Sequence, residues 1–272
     1  MKKIIALVAV MVMAFTGSAF AGSIQVKGST TVLPLMQKTA EVFMKANPNV
    51  SISISGGGSS NGAKALIDGT TDIAMMSRDM KASEIQTATD NGRKPVQFVI
   101  ALDCIVPIVN PANPVSKLTK DELWGIYTGK ITNWKEVGGE DSKIVVISRD
   151  TSSGTYDCWK SKIMKKAGKK HRVFPGALLQ ASNGAVAQAV SKNKKAIGYV
   201  GLAYLNKELK GVVVNGVAPS VATAKDGSYP ISRGLNLYTP GEPTGEAKAL
   251  IDYMMSPAGQ KLAADTGFIP VK

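Results

Sequence analysis

Apolar and polar positions follow two periods along this chain, and the periods take turns. SIQVKG (23–28) and PNVSISIS (48–55) alternate residue by residue, and TDIAMMS (71–77) is a short apolar run; all three read as strands. Between them, Leu35, Thr39, Val42 and Phe43 share one face of a helix predicted over about 33–46. AKALIDG (63–69) predicts a helix stopped by glycine, and KASEIQTATDNG (81–92) another, capped by Ser83 or by the loop before it. PVQFVIALDCIVPIVN (95–110) is apolar for longer than an ordinary strand. Further on, TKDELWGIYTG (119–129) carries Thr119 at a helix N-cap and Glu122 three residues later, a capping box. SKIVVISR (142–149) predicts a strand, TYDCWKSKIMKKAG (155–168) a helix ending at Gly168, and NGAVAQAVSKNKKAIGYVG (183–201) a helix, a turn and a strand. YPISRGLNLYT (229–239) alternates as a strand, and residues 245–268 form two closing helices broken at Ser256-Pro257.

Strands alternating with helices predict an α/β fold with mixed or mostly parallel sheets. No Pro/Gly-rich linker divides the chain, so two domains would be joined by crossing strands. The extended runs near 97–110 and 229–239 are the natural crossovers. The first domain is then discontinuous, 22–103 plus 233–272, and the second is 104–232.

The N-terminus changes the setting. Met1-Lys2-Lys3, an apolar run to about Phe15 and the small-residue end Ala19-Phe20-Ala21 describe a cleavable signal peptide, residues 1–21. The formal charge falls from +13 to +11 when Lys2 and Lys3 leave with it. The densest basic cluster, KKAGKKHR (165–172), has no interleaved aromatics, so the charge reads as solubility and attraction of anions rather than nucleic-acid binding. Cys104 and Cys158 would sit in an oxidising compartment, where a disulfide between them is the expectation.

The candidate chemistry lies in four loops, each after a predicted strand: GSTT (28–31), GGGSSNG (56–62), SRD (77–79) and SRDTSSGT (148–155). Ligands of α/β sheets bind beyond the carboxyl ends of strands, where helix N-termini offer unpaired N–H groups. Glycine admits the ligand to the backbone, Ser and Thr add neutral donors, and Arg78 and Arg149 offer two-pronged contacts to oxygens. GGGSSNGAK lacks the Gly-Lys-Ser/Thr ending of a nucleotide loop. No metal-ligand spacing appears. His171, the single histidine, lies in the lysine-rich stretch with no nucleophile beside it. Donors without a nucleophile–base pair indicate binding of an anion rather than catalysis, and no cofactor is called for.

GSTTVLPL, GGGSSNGAKALIDGTTDIAMMSRDM, ALDCIVPIVNP, ELWGIYTGKITNWKEVGG, SRDTSSGT and SPAGQKLAADTGFIPV together resemble the periplasmic phosphate-binding proteins of the PstS family, from about Ser23 to Lys272. The resemblance implies a type II periplasmic-binding-protein fold, two lobes of mixed sheet flanked by helices, closing as a hinged clamp on inorganic phosphate. It implies a periplasmic monomer that hands phosphate to the permease subunits of an ABC transporter. Carried over by motif, the phosphate ligands are Thr30, Thr31, Ser59, Arg149, Ser153, Gly154 and Thr155. Some members carry an aspartate where this chain has Ser77, followed by Arg78; that aspartate accepts the proton of hydrogen phosphate and so disfavours sulfate. Here Ser77 itself is a candidate phosphate contact, and Asp150 and Asp72 are the candidate acceptors. Asp150 is equally a candidate for holding Arg149, and Arg78 for a second gripping arginine. Other readings are a binding protein for sulfate, molybdate or tungstate, an anion sensor and, further off, a secreted hydrolase.

Overall fold

The computed structural model describes residues 22–271; the signal-peptide expectation lies outside them. The chain opens β1 (Ser23–Gly28), α1 (Leu33–Ala46), β2 (Ser51–Ser55), α2 (Ser59–Asp68), β3 (Ile73–Met76) and α3 (Ala82–Asp90). The long β4 (Val96–Val109) follows, then β5 (Lys117–Leu118), α4 (Lys120–Thr128), β6 (Val145–Arg149) and α5 (Gly154–Lys162). Next come β7 (Lys165–Lys166), β8 (Lys169–Lys170), β9 (Leu178–Gln180), α6 (Asn183–Ser191) and β10 (Ala196–Gly201). The chain closes with β11 (Lys210–Gly211), β12 (Val213–Val214), α7 (Val221–Lys225), β13 (Ser232–Thr239), α8 (Gly245–Met255) and α9 (Pro257–Asp265).

The main sheet runs β2-β1-β3-β13-β4-β10-β6-β9. β1, β2 and β3 are parallel, as are β6, β9 and β10, while β13 and β4 run antiparallel to their neighbours. The 95–110 run is long because β4 serves both halves. Its first part pairs with β13 over 96–104 and its last with β10 over 105–109. Two apolar clusters follow this split. One gathers Ile24, Leu35, Phe43, Met75, Leu235 and Leu250; the other gathers Ile105, Leu123, Trp159, Val186, Tyr199 and Ile231. The chain passes between them at 101–104 and 231–235, so both crossovers lie in adjacent paired strands.

Local signals explain most boundaries. The Thr119 hydroxyl accepts from the Glu122 N–H at 3.1 Å, and the Glu122 carboxylate accepts from the Thr119 N–H at 2.7 Å, completing the capping box of α4. α3 is capped from the preceding loop, at Lys81 rather than Ser83. Ser256 ends α8 and caps α9, with Pro257 in its first turn. One expectation fails: the helix predicted to reach Gly168 stops at Lys162. Ile163 and Met164 are buried in the core, and Ala167 and Gly168, at φ 50° and 76°, turn the lysine stretch into the β7–β8 hairpin. Core packing and a turn with both φ positive override the helical propensity of the lysines.

Candidate functional site

The four loops converge where the two clusters face each other. α1 starts just after Thr31, α2 at Ser59, α5 at Gly154 and α6 at Asn183, so four helix N-termini share one place. Thr30, Thr31, Ser59, Ser77, Ser153, Thr155 and Asn183 are all buried. The Thr31 and Thr155 hydroxyls, from opposite halves, lie 3.0 Å apart. The Asn183 amide donates to both Thr30 Oγ1 (3.1 Å) and Thr31 Oγ1 (3.0 Å). Ser59 Oγ accepts from the Ser77 N–H at 3.0 Å, and the two serine hydroxyls are 3.3 Å apart. Ser153 caps α5 by accepting from the Tyr156 N–H, and the Thr31 N–H is held by Ser29 Oγ at 3.1 Å.

Gly154 is there because nothing larger fits. A Cβ on it would stand 2.2 Å from Ser59 Oγ and 2.8 Å from Ser77 Oγ, across the cleft. Gly58, at φ 103°, likewise passes Ser152, whose carbonyl would be 2.5 Å from its Cβ. Ser152 in turn bridges the halves: its carbonyl accepts from the Ser60 N–H (3.0 Å), and its hydroxyl oxygen lies 3.0 Å from the Gly57 carbonyl.

Arg149 is 1% exposed at the end of β6. Pairing of β6 with β9 brings Gln180 beside it; Nε donates to the Gln180 carbonyl (3.0 Å) and Nη2 to the Ala181 carbonyl (2.9 Å). Nη1 has no hydrogen-bond partner among the described residues. Trp159 on α5 stacks at 4.2 Å on Tyr199, whose hydroxyl is 2.9 Å from Ser148 Oγ and accepts from the Arg149 N–H at 3.2 Å. This aromatic platform fixes the backbone that carries the arginine. Burial lowers the guanidinium's pKa, and the nearby Arg233 cation pushes the same way. An anion between the two arginines would remove that conflict.

The apolar periodicity did not reveal four residues that the fold brings in. Arg233 donates from Nη1 to Thr155 Oγ1 (3.1 Å) and the Ser77 carbonyl (3.1 Å), and from Nη2 toward Thr31 Oγ1 (3.3 Å). Asp103, 1% exposed, accepts from its Nε (3.0 Å) and Nη2 (2.7 Å). Burial pushes the Asp103 carboxyl up, although Arg233 and the Leu202 N–H oppose it. Asn183 and Tyr204 complete the set, the Tyr204 hydroxyl donating to the Thr30 carbonyl. A signal existed for the charged pair: each interrupts a run otherwise reading as a crossover strand.

Three expectations for the site change. Arg78 does not face the hydroxyl ring, because its guanidinium is taken by two carboxylates, Glu84 (2.8 and 2.7 Å) and Asp157 (2.8 Å). Asp72 lies at the opposite end of β3 from Ser77, roughly 16 Å along a strand, where it accepts from the Gln25 N–H at 2.7 Å. Asp150 accepts from both the N–H (2.8 Å) and the hydroxyl of Ser152, a turn that shapes the loop, and adds a favourable charge near Arg149. The disulfide is also overturned: Cys104 and Cys158 are free, buried thiols, the first with its Sγ toward the Ser220 carbonyl. Burial pushes Cys104 up to about 12 and raises Cys158 as well. His171 packs edge-on against Trp124, with ring centroids 5.3 Å apart.

Known proteins resemble this chain over most of its length. A family model described as a PBP superfamily domain matches residues 14–258. The phosphate-binding protein PstS of Bacillus subtilis is 35% identical over 252 residues, covering 92% of this chain and 81% of the relative. PstS of Borreliella burgdorferi is 33% identical, covering 92% and 90%. Among solved structures, a phosphate ABC transporter substrate-binding protein from Clostridium perfringens with bound phosphate superposes with a TM-score of 0.85 at 36% identity, covering 92% of this chain and all of that one. An ABC-type phosphate transport receptor from Vibrio cholerae gives 0.73 at 33% identity, covering 90% and 99%. The chain belongs to the PBP superfamily and, within it, to the PstS family of phosphate-binding proteins.

Proposed function

We propose that the chain captures inorganic phosphate between two lobes, 22–103 plus 233–272 and 104–232, and delivers it to the permease subunits of an ABC transporter. The observation that carries this reading is a buried ring of donors drawn from both halves, with the free Nη1 of Arg149 and the tips of Arg233 among them. Thr30, Thr31, Ser59, Ser77, Arg149, Ser153, Gly154 and Thr155 hold the anion, joined by Asn183 and Arg233. Each surrounding carboxylate is already engaged, Asp103 by Arg233 and Asp150 by Ser152. Hydroxyl lone pairs, Ser77 foremost, therefore accept the proton of monohydrogen phosphate. Binding occurs without turnover: the ring holds no nucleophile–base pair, and the single histidine packs on Trp124. The protein acts as a periplasmic monomer released by signal-peptide cleavage; no helix of the described residues is long and apolar enough to cross a membrane.

The test is calorimetric titration of the mature protein, refolded to strip bound ligand. Phosphate should bind at one site per chain. Sulfate should bind more weakly, but less weakly than in relatives with a carboxylate at position 77, because a serine hydroxyl does not penalise an unprotonated anion. No heat with phosphate overturns the reading, and turnover of a chromogenic phosphate ester overturns the non-catalytic part of it.

A further inference from the structure

Arg78 has the chemistry of an anion ligand and its charge is used elsewhere. It leaves β3 at the edge of the first half, with its side chain almost wholly buried. Both Nη atoms reach the Glu84 carboxylate in the same half, and further contacts to Ser60 Oγ (3.1 Å) and the Asp79 carbonyl (2.8 Å) hold it in place. Its Nε lies 2.8 Å from Asp157 Oδ2 as an ion pair without hydrogen-bond alignment, and Lys81 Nζ stands 3.3 Å from the same oxygen. Asp157 belongs to α5 of the second half. It lies two residues beyond Thr155, and its ion-pair partners are Arg78 and Lys81.

We propose that Arg78 and Asp157, aimed by Glu84 and aided by Lys81, form a clasp across the cleft that closes with the lobes and sets how slowly the bound anion leaves. The inference rests on the phosphate-capture reading above. The arrangement is asymmetric in a useful way. Arg78, Glu84 and Lys81 share one half, so opening leaves the Arg78–Glu84 pair whole and separates only Asp157. Asp79 on the same rim is held by Gln97 and Asn236, so of the carboxylates there only Glu84 meets Arg78 in the open form, and closure adds Asp157 to Arg78 and Lys81. Because α5 also brings Gly154 and Thr155 to the hydroxyl ring, the movement that encloses the anion is the movement that makes the clasp. The pair borders a cavity of about 330 Å³ that also touches Ser77, Lys162 and Arg233, so salt can reach it.

Asp157→Asn tests the proposal, read by release of radiolabelled phosphate into an excess of unlabelled phosphate. Release should quicken about tenfold, within the range for a partly buried charged contact, with association changed less than twofold. The phosphate-free melting temperature should hold nearly constant, whereas the phosphate-bound one should fall. Asp157→Glu should restore slow release. Added salt should speed release in the parent and much less in the asparagine variant. An unchanged release rate overturns the clasp, as does an equal loss of melting temperature with and without phosphate at unaltered release. If the parent binds no phosphate, the capture reading fails by itself, and X-ray scattering then judges the clasp: a more open asparagine variant supports it, and identical scattering overturns it.

Discussion

Gly154→Ala separates closure from folding. The added Cβ would meet Ser59 Oγ at 2.2 Å and Ser77 Oγ at 2.8 Å, where real Cβ atoms essentially never come within 3.0 Å. Neither serine can yield easily: both are buried, and Ser59 Oγ is held by the Ser77 N–H. The halves must therefore stand apart by about 1 Å to restore ordinary contact. At that separation the three bonds tying Thr30 and Thr31 to Thr155 and Asn183, each 3.0–3.1 Å now, are stretched beyond useful length. At about 1 kcal/mol each, their loss is about 3 kcal/mol, on the order of a hundredfold in Kd. Folding should respond in the opposite direction. Gly154 is the first residue of α5, its φ lies outside the left-handed region, and alanine is the better helix former by up to ~1 kcal/mol. Calorimetry should show phosphate affinity falling about a hundredfold while the phosphate-free protein melts at the same temperature or higher. A variant that binds within twofold of the parent would refute the reasoning, since the cross-cleft approach would then not be the liganded geometry.

Three further outcomes are expected. Arg149→Ala should weaken phosphate binding about ten- to a hundredfold, the worth of a charged hydrogen bond of ~1.5–3 kcal/mol, as measured by calorimetry. It should also lower the phosphate-free melting temperature, because the Gln180 and Ala181 carbonyls lose their donor. A thiol reagent at pH 8 should label neither Cys104 nor Cys158 in the folded protein, whose thiols burial raises, and both after unfolding without reductant; no labelling in denaturant would restore the disulfide. Burial would raise the Glu84 carboxyl, but Arg78 and the Lys81 N–H outweigh it and hold the group below its ordinary 4.5. A depressed carboxylate contributes stability that is complete above its unfolded value and lost as pH falls through the folded one. The melting-temperature gap between the parent and Glu84→Gln should thus be widest above pH 4.5 and close below it; a gap independent of pH would remove Glu84 from the ion pair.

Periodicity carried the fold a long way because each element buries one face. Strict alternation located β1 and β2, the capping box located the start of α4, and an apolar run too long for an ordinary strand marked β4 as a crossover between halves. It failed at 163–170, where a lysine-rich stretch suits a helix locally but Ile163 and Met164 are pulled into the core. The loops of the site were legible because glycine and hydroxyl residues followed strands. What each arginine does was not, since a guanidinium serves an anion or a carboxylate equally well until its neighbours are placed. Arg78 and Arg149 each follow a serine and precede an aspartate in SRD, and they part only in the fold. Glu84 and Asp157 surround the first, while backbone carbonyls hold the second and leave Nη1 free.

The Asp103–Arg233 pair links the crossing strands and the site in one contact. The two residues face each other in the register of β4 and β13, the strands through which the chain crosses between halves. A side chain rooted there would move least in a swing of the halves. Arg233 nevertheless extends from that pivot to the Ser77 carbonyl on one side and the Thr155 hydroxyl on the other. A buried ion pair is seldom the most stable filling for such a place, and apolar residues of similar volume often do better. The pair is tolerable because the carboxylate is so fully bonded, to two guanidinium nitrogens and the Leu202 N–H. Its use follows from the same saturation. Asp103 fixes the arginine and spends its own lone pairs doing so, so the site gains a preorganised cation without an exposed carboxylate to repel the anion. On the proposed reading that leaves Ser77 and the other hydroxyls as the acceptors, neutral groups that penalise an unprotonated oxyanion less than a carboxylate would.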